Sequence, residues 1–266
     1  MGNPTLDSYP DRAPVLGGTV VYSSLQALRL GLTAAIVGRG APAGDAWRDL
    51  GPGVHLRLEP AAVTTRFRNS SSGTLRQQIV EDWAGPISLS DALPRCTIMH
   101  IAAVAQEFSL DAVVEASRAD FVGLTPQGLL RSWDSAGAVS LRPIQADEAL
   151  GAQIQAAVVA DHEYPYAAPL LEAVVRAGGL VAVTFGAAGC EIHSKAGVDR
   201  FPSYPVRVVD DTGAGDVFAA AFFVEIVRGS SLADAARFAA VAAALNLRGV
   251  GPGAIASRDE IADRLR

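Results

Sequence analysis

A single lysine, Lys195, stands in the 266 residues of the chain, and that scarcity closes off two kinds of chemistry. No Gly-x-x-x-x-Gly-Lys-Ser/Thr loop can form around it, and no lysine is placed to hold nucleotide phosphates as in protein kinases. Cysteine is scarce too: Cys96 and Cys190 show neither metal-ligand spacing nor a disulfide framework, and they fit a reducing compartment as buried thiols. The four histidines, His55, His100, His162 and His193, make no His-Glu-x-x-His pair, and no Gly-x-Ser-x-Gly elbow occurs. No apolar run reaches the roughly 20 residues that a membrane-spanning helix needs, because even Val217 to Val227 is cut by Glu225. Basic runs are missing and the net charge is -6, so neither a nucleic acid nor an anionic membrane is an expected partner. From Met1 to Pro14 no basic start precedes an apolar stretch, so no secretory or transit signal is read there and the expected location is cytoplasmic.

What the chain has in quantity is apolar residues, 50% of the total, enough for a sizeable core. From Thr97 onward short β-branched runs alternate with Ala/Leu-rich stretches, the pattern of a mainly parallel sheet covered by helices, so the fold class is α/β. Strands are expected at Thr97 to Ala102, Phe121 to Leu124, Ala156 to Val159, Leu180 to Phe185 and Val206 to Val209. Helices are expected at Thr19 to Leu30, Pro165 to Ala177, Ala214 to Arg228, Leu232 to Leu247 and Arg258 to Arg266, the last opened by a Ser257/Glu260 capping box. Between Gly53 and Ile79 the texture changes to alternating stretches broken by Asn69-Ser-Ser-Ser-Gly73, which predicts antiparallel hairpins forming a small flap on a single domain spanning 1–266.

The most informative stretch is Val206-Arg-Val-Val-Asp-Asp-Thr-Gly-Ala-Gly-Asp-Val-Phe218, where small residues open an almost wholly apolar helix. Gly213, Ala214 and Gly215 leave the first backbone N–H groups of that helix bare, and those donors, with the positive end of the helix dipole, attract phosphate. Asp216 falls in the same turn. Its plainer role is to favour the helix N-terminus electrostatically. Its sharper role is a base that takes a proton from an acceptor hydroxyl beside a phosphoryl group held by the turn.

Asp211-Thr-Gly-Ala-Gly-Asp-Val-Phe218 resembles the C-terminal signature of the ribokinase-like (PfkB) carbohydrate kinase family. That resemblance implies a three-layer sandwich with a mainly parallel central sheet flanked by helices and a β-hairpin flap that serves as a lid and, in relatives, pairs two subunits, so a homodimer is implied as well. It implies an enzyme that moves the γ-phosphate of ATP to a hydroxyl of a sugar, polyol or nucleoside, with Gly213 to Asp216 as anion hole and Asp216 as base. Asp211 stands where the family usually has a second Thr, which leaves a monovalent cation open. Leu16-Gly-Gly-Thr19 resembles the family's Gly-Gly motif, so Gly17 and Gly18 are implied to meet the acceptor, with Tyr22 where many sugar kinases carry Asn. Gly2-Asn-Pro-Thr-Leu-Asp7 resembles the segment after the family's first strand, making Asp7 an acceptor ligand. The apolar strand expected before it is missing, so either a start further upstream or a sheet without this strand is expected.

Val181-Ala-Val-Thr-Phe-Gly-Ala-Ala-Gly-Cys190 resembles the family's nucleotide-facing turn, which implies ATP contacts at Thr184, Gly186 and Gly189. Ala240 stands where relatives often have Asn, and Asn246 is the substitute candidate beside the adenine. Asp161 and Glu163 lie roughly at the family's Asn-x-x-Glu motif, with Tyr164 at the Glu position, and are the candidates for Mg²⁺, a hard cation that needs few protein carboxylates. Gly249-Val-Gly-Pro-Gly-Ala254 fits Gly-x-Gly-x-x-Ala but follows a helix, a weak dinucleotide signal. Two classes stay open: an active kinase, and a sugar- or nucleotide-binding or regulatory relative that kept the pocket without turnover.

Overall fold

The computed structural model describes residues 1–9, 12–42, 47, 50–72, 75–89, 93–145 and 148–266. Fourteen strands are described: β1 (Thr5–Tyr9), β2 (Arg12–Gly17), β3 (Ala34–Gly40), β4 (Val54–Pro60), β5 (Thr65–Ser72), β6 (Leu75–Asp82), β7 (Cys96–Ile101), β8 (Ala119–Leu124), β9 (Arg131–Trp133), β10 (Val139–Leu141), β11 (Ala156–Ala160), β12 (Leu180–Thr184), β13 (Cys190–Ser194) and β14 (Gly197–Phe201). The helices are α1 (Thr19–Arg29), α2 (Leu110–Ala116), the single turns α3 (Gln127–Leu130) and α4 (Glu148–Gly151), α5 (Tyr164–Ala177), α6 (Ala214–Val227), α7 (Leu232–Asn246) and α8 (Arg258–Leu265).

The main sheet runs β14-β13-β12-β11-β8-β7, parallel from β12 to β7 and closed on its other side by the antiparallel β12-β13-β14 meander. Its central strands bury both faces, which is why they read as unbroken apolar runs. Ala156 and Val158 pack toward α6 and α7, whereas Ala157 and Val159 pack toward α2 and α5. The result is a three-layer arrangement of helices, sheet and helices. Helix α6 is apolar all round, with Val217 to Val224 buried, because it lies between the sheet and α1 and α7. The Ser257/Glu260 capping box of α8 is present.

Two expected features differ. Val206 to Val209 forms no strand. Pro202 and Pro205 remove backbone donors ahead of it, and the N–H groups of Val209 and Asp210 turn instead to the Leu247 carbonyl at 2.8 and 3.4 Å. The flap also draws on other residues than 53–79. β4 leaves it to pair in parallel with β3, and the flap sheet runs β2-β1-β5-β6, so half of it comes from the N-terminal hairpin. The turn at 73–74 lies outside the described residues.

The expectation of a missing strand corresponds to a definite place. The main sheet stops at β7, and the β3-β4 pair forms a separate sheet, with Met1 to Asn3 running between the two. Met1 accepts from the Ala102 N–H at 2.8 Å and Gly2 donates to the Val37 carbonyl at 3.0 Å. Beside this bridge lies a cavity of about 500 Å³ lined by Val20, Ala27, Ala35, Ile98 and Phe223. Among the described residues no helix is long and apolar enough to cross a membrane.

Candidate active site

A cavity of about 1170 Å³ crosses the molecule where the flap, the C-terminal ends of the parallel strands and the start of α6 converge. One end is formed by Asp7, Phe67, Asn69, Gln78 and Arg131, and the other by Phe185, Tyr204, Val206, Ala240 and Leu247. Asp216 and the turn Gly213-Ala-Gly215 line the same cavity, with Asp216 close enough to feel the charges of Arg131, Asp7 and Glu163. This position follows from the fold, since open α/β sheets leave their crevice beyond the carboxyl ends of the strands.

The turn is held tightly. Gly213 adopts φ 77, a left-handed conformation, and a Cβ there would come within 2.3 Å of the Tyr22 ring, so only glycine fits. No side chain caps α6, and its first helical bond runs from the Val217 N–H to the Gly213 carbonyl at 2.9 Å. The preceding loop is fixed from below: Asp210 accepts from the Thr212 N–H at 3.0 Å, and Asn246 donates to the Thr212 carbonyl at 3.1 Å. Gly215 faces open space, where an added Cβ would meet nothing within 4 Å. The first-turn amides thus present a positive concavity to the cavity.

Burial lifts the Asp216 carboxyl from its ordinary value to about 6. The Thr19 hydroxyl and the Arg131 charge oppose that lift, whereas Glu163 and Asp7 add to it. A carboxylate with a pKa near 6 remains ionised at neutral pH and is a better proton acceptor than an ordinary aspartate.

The other sequence candidates fall at distinct places on the same cavity. Asp7 is buried, and Gly17 packs against it so closely that a Cβ would lie 2.3 Å from its carboxylate oxygen. Gly18 precedes α1 and lines the cavity. Tyr22 is 1% exposed and lies under the turn of α6, with burial and the Asp7 charge pushing its phenol far above the usual range. At the opposite end, Thr184 closes β12, its hydroxyl donating to the Val159 carbonyl at 3.3 Å, and Gly186 and Gly189 form the tight turn to β13. Asn246 is buried and turned toward Thr212, so its amide supports the turn of α6 and is not presented to the cavity.

Asp161 and Glu163 also line the cavity. Glu163 is buried and close enough to Asp216 to raise its pKa, whereas Asp161 accepts from the His162 N–H at 2.8 Å. Among the described residues no group of three metal-type ligands occurs. This donor set therefore suits a hard cation held chiefly by phosphate and water with one or two carboxylates, and does not suit an all-protein cage.

Sequence reasoning missed Asn69, Gln78 and Arg131 as site residues. Asn69 and Gln78 face each other across the β5-β6 hairpin, and the alternation of that stretch was their only local signal. Arg131 ends the string Gln127-Gly-Leu-Leu-Arg131, with nothing in the string itself to show that β9 brings its guanidinium to the cavity.

Comparison with known proteins bears on the family and the fold. The Bacillus subtilis ribokinase is 38% identical over 84 residues, 31% of this chain and 29% of that protein, so the matched part spans under a third of such curated relatives. A pyrophosphate-dependent kinase of the ribokinase family superposes with a TM-score of 0.80 at 21% identity, covering 99% of this chain and 98% of the other. The Arabidopsis thaliana ribokinase complexed with ribose and ATP gives 0.71 at 20% identity, covering 99% and 96%. The model of the pfkB family carbohydrate kinases matches residues 91–259, which include the whole Asp211–Asp216 turn. With well over half its length inside that match, the chain belongs to the pfkB family of carbohydrate kinases.

Proposed function

We propose that this chain is an ATP-dependent phosphotransferase that moves the γ-phosphate to a hydroxyl of a sugar, polyol or nucleoside. The observation that carries the reading is the shared cavity of the uncapped first turn of α6 and the Asp216 carboxylate. An acceptor seated between Asp7 and Asp216 has its hydroxyl beside the base, and the Gly213–Asp216 amides face the oxygens of the transferring group. Asp216 takes the hydroxyl proton as the new O–P bond forms, and ADP leaves toward Thr184, Gly186 and Gly189.

Several features support ATP as donor. Tyr204, Val206, Val208, Ala240 and Leu247 make an apolar end suited to the plane of a base, and among the described residues no lysine or arginine lines that end. Pyrophosphate, the donor named for three of the structural neighbours, would leave this apolar surface without a partner. Mg²⁺ would neutralise phosphate charge and would be held by Glu163 and Asp161.

The test is a donor and acceptor screen that reads ADP or phosphate release from the full chain, with Asp216→Asn as control. Transfer from ATP to at least one polyhydroxy compound, abolished in the control, is the expected result. Equal release by both forms removes Asp216 from this role. Ligand binding without release by the wild type establishes the non-catalytic reading, and preference for pyrophosphate overturns the donor.

A further inference from the structure

Among the described residues one arginine lines the cavity, and beyond its charge acting on Asp216 the transfer chemistry above gives it no part. Arg131 is 7% exposed and lies at the acceptor end with Asp7. Its Nη1 donates to the Val104 carbonyl at 2.9 Å and its Nη2 to Gln78 Oε1 at 2.9 Å, while the guanidinium carbon lies 5.1 Å from the centre of the Phe67 ring. Gln78 passes the connection on, donating from Nε2 to Asn69 Oδ1 at 2.8 Å. A polar ladder thus runs from the main body through Arg131 into the flap.

The support behind the ladder is elaborate for a side chain that only fills space. The fully buried Glu107 accepts from the N–H groups of Asn3, Val104 and Ala105, which fixes the loop that offers the Val104 carbonyl. In that loop Gln106 adopts φ 55, a left-handed conformation for a residue with a side chain, and its amide donates to the Arg131 carbonyl. Gly128 packs beneath the same loop, where a Cβ would lie 2.2 Å from the Val104 nitrogen. Burying a guanidinium is unfavourable unless acceptors are fixed around it, as the Val104 carbonyl and Gln78 are here, and backbone strain of this kind gathers around ligand clamps.

The ladder also restricts what can bind. With the guanidinium over its ring, Phe67 offers that face to a cation and cannot use it to stack on a planar base. The other groups at this end, Asp7, Asn69, Gln78 and Gln127, are carboxylate and amides suited to hydroxyls. Resting on the phosphotransferase reading, we propose that the Arg131–Gln78–Asn69 ladder is the acceptor-specificity element. It holds the hydroxyl edge remote from the reacting oxygen and selects a compact, densely hydroxylated ring, a monosaccharide or cyclitol, over a nucleoside.

The test uses the full chain with ATP and a panel of monosaccharides, cyclitols, their single-deoxy analogues and nucleosides. Gln78→Leu is expected to raise acceptor KM about 10-fold and Arg131→Met about 10- to 100-fold, as for lost hydrogen bonds to neutral and charged groups, with ATP KM unchanged. At least one deoxy analogue should cost the wild type about 10-fold and Gln78→Leu nothing further, which a purely structural role would not produce. A nucleoside as best acceptor overturns the proposal, as does an equal rise in both KM values or the same deoxy penalty in wild type and variants. If Arg131→Met fails to fold, Gln78→Leu on the flap carries the comparison. If the wild type transfers phosphate to nothing, the phosphotransfer reading falls and calorimetric binding of the same panel decides the ladder. Tighter binding of nucleosides, or of no panel member, overturns it.

Discussion

The turn that opens α6 and the acceptor end of the cavity are walls of one site, built in opposite ways. The turn comes from one contiguous stretch, Asp210 to Asp216, braced from outside by Tyr22, Asn246 and Leu247. The acceptor end gathers Asp7, Asn69, Gln78 and Arg131 from β1, β5, β6 and the start of β9. A contiguous device can bind any phosphate and carries little information about the acceptor. An assembled one is free to vary residue by residue, and selectivity belongs there.

The sharpest way to test that division is Asp216→Asn, which is expected to lower kcat by about 100-fold or more while leaving the Kd of the acceptor nearly unchanged. Stability should move the other way. Because the folded-state pKa of Asp216 is raised, the folded chain keeps this proton better than the unfolded chain does. Stability is therefore lost as pH rises from the ordinary carboxylate range through about 6, and the asparagine variant should show a higher Tm than wild type at pH 8. A lower Tm would show that the charge is stabilised where it lies.

Next in size is Gly213→Ala. The left-handed φ and the Tyr22 ring together should cost about 1–3 kcal/mol in urea unfolding and reduce turnover with every acceptor alike. A loss confined to one acceptor would blur the distinction between the two walls. The pH profile comes third. The kcat/KM of the wild type should fall on the acid side with a midpoint of about 6, as Asp216 takes up its proton, and an acid limb near 4 would contradict the raised value. Smallest is Gly17→Ala, which presses a methyl group on the Asp7 carboxylate and should raise acceptor KM by about 10-fold without changing the KM of ATP.

The two walls were also unequally legible. Asp216 and its small-residue turn could be read because the chemistry, the helix start and the preceding loop are all local. Asn246 was read as an adenine neighbour and proves to hold the Thr212 carbonyl, since a residue facing inward on α7 looks the same in sequence as one facing the cavity. The strand expected at Val206 to Val209 shows the same limit: its β-branched residues favour a strand, yet the Leu247 carbonyl after α7 takes the Val209 N–H and no ladder forms. In the flap, alternation marked the β5-β6 hairpin but could not tell that β4 pairs with β3 or that β1 and β2 complete the flap sheet.

The sequence by itself determined the layered α/β order, the principal helices and the small-residue turn that opens α6, because periodicity, capping and glycine geometry act over a few residues. Only the tertiary structure decided which strands share a sheet, that the sheet is interrupted between β3 and β7, and that Arg131 reaches Gln78 on the flap. Those outcomes depend on contacts between residues some 50 to 100 positions apart, such as Arg131 with Gln78 and Asn3 with Glu107, and no local pattern encodes a partner at that distance.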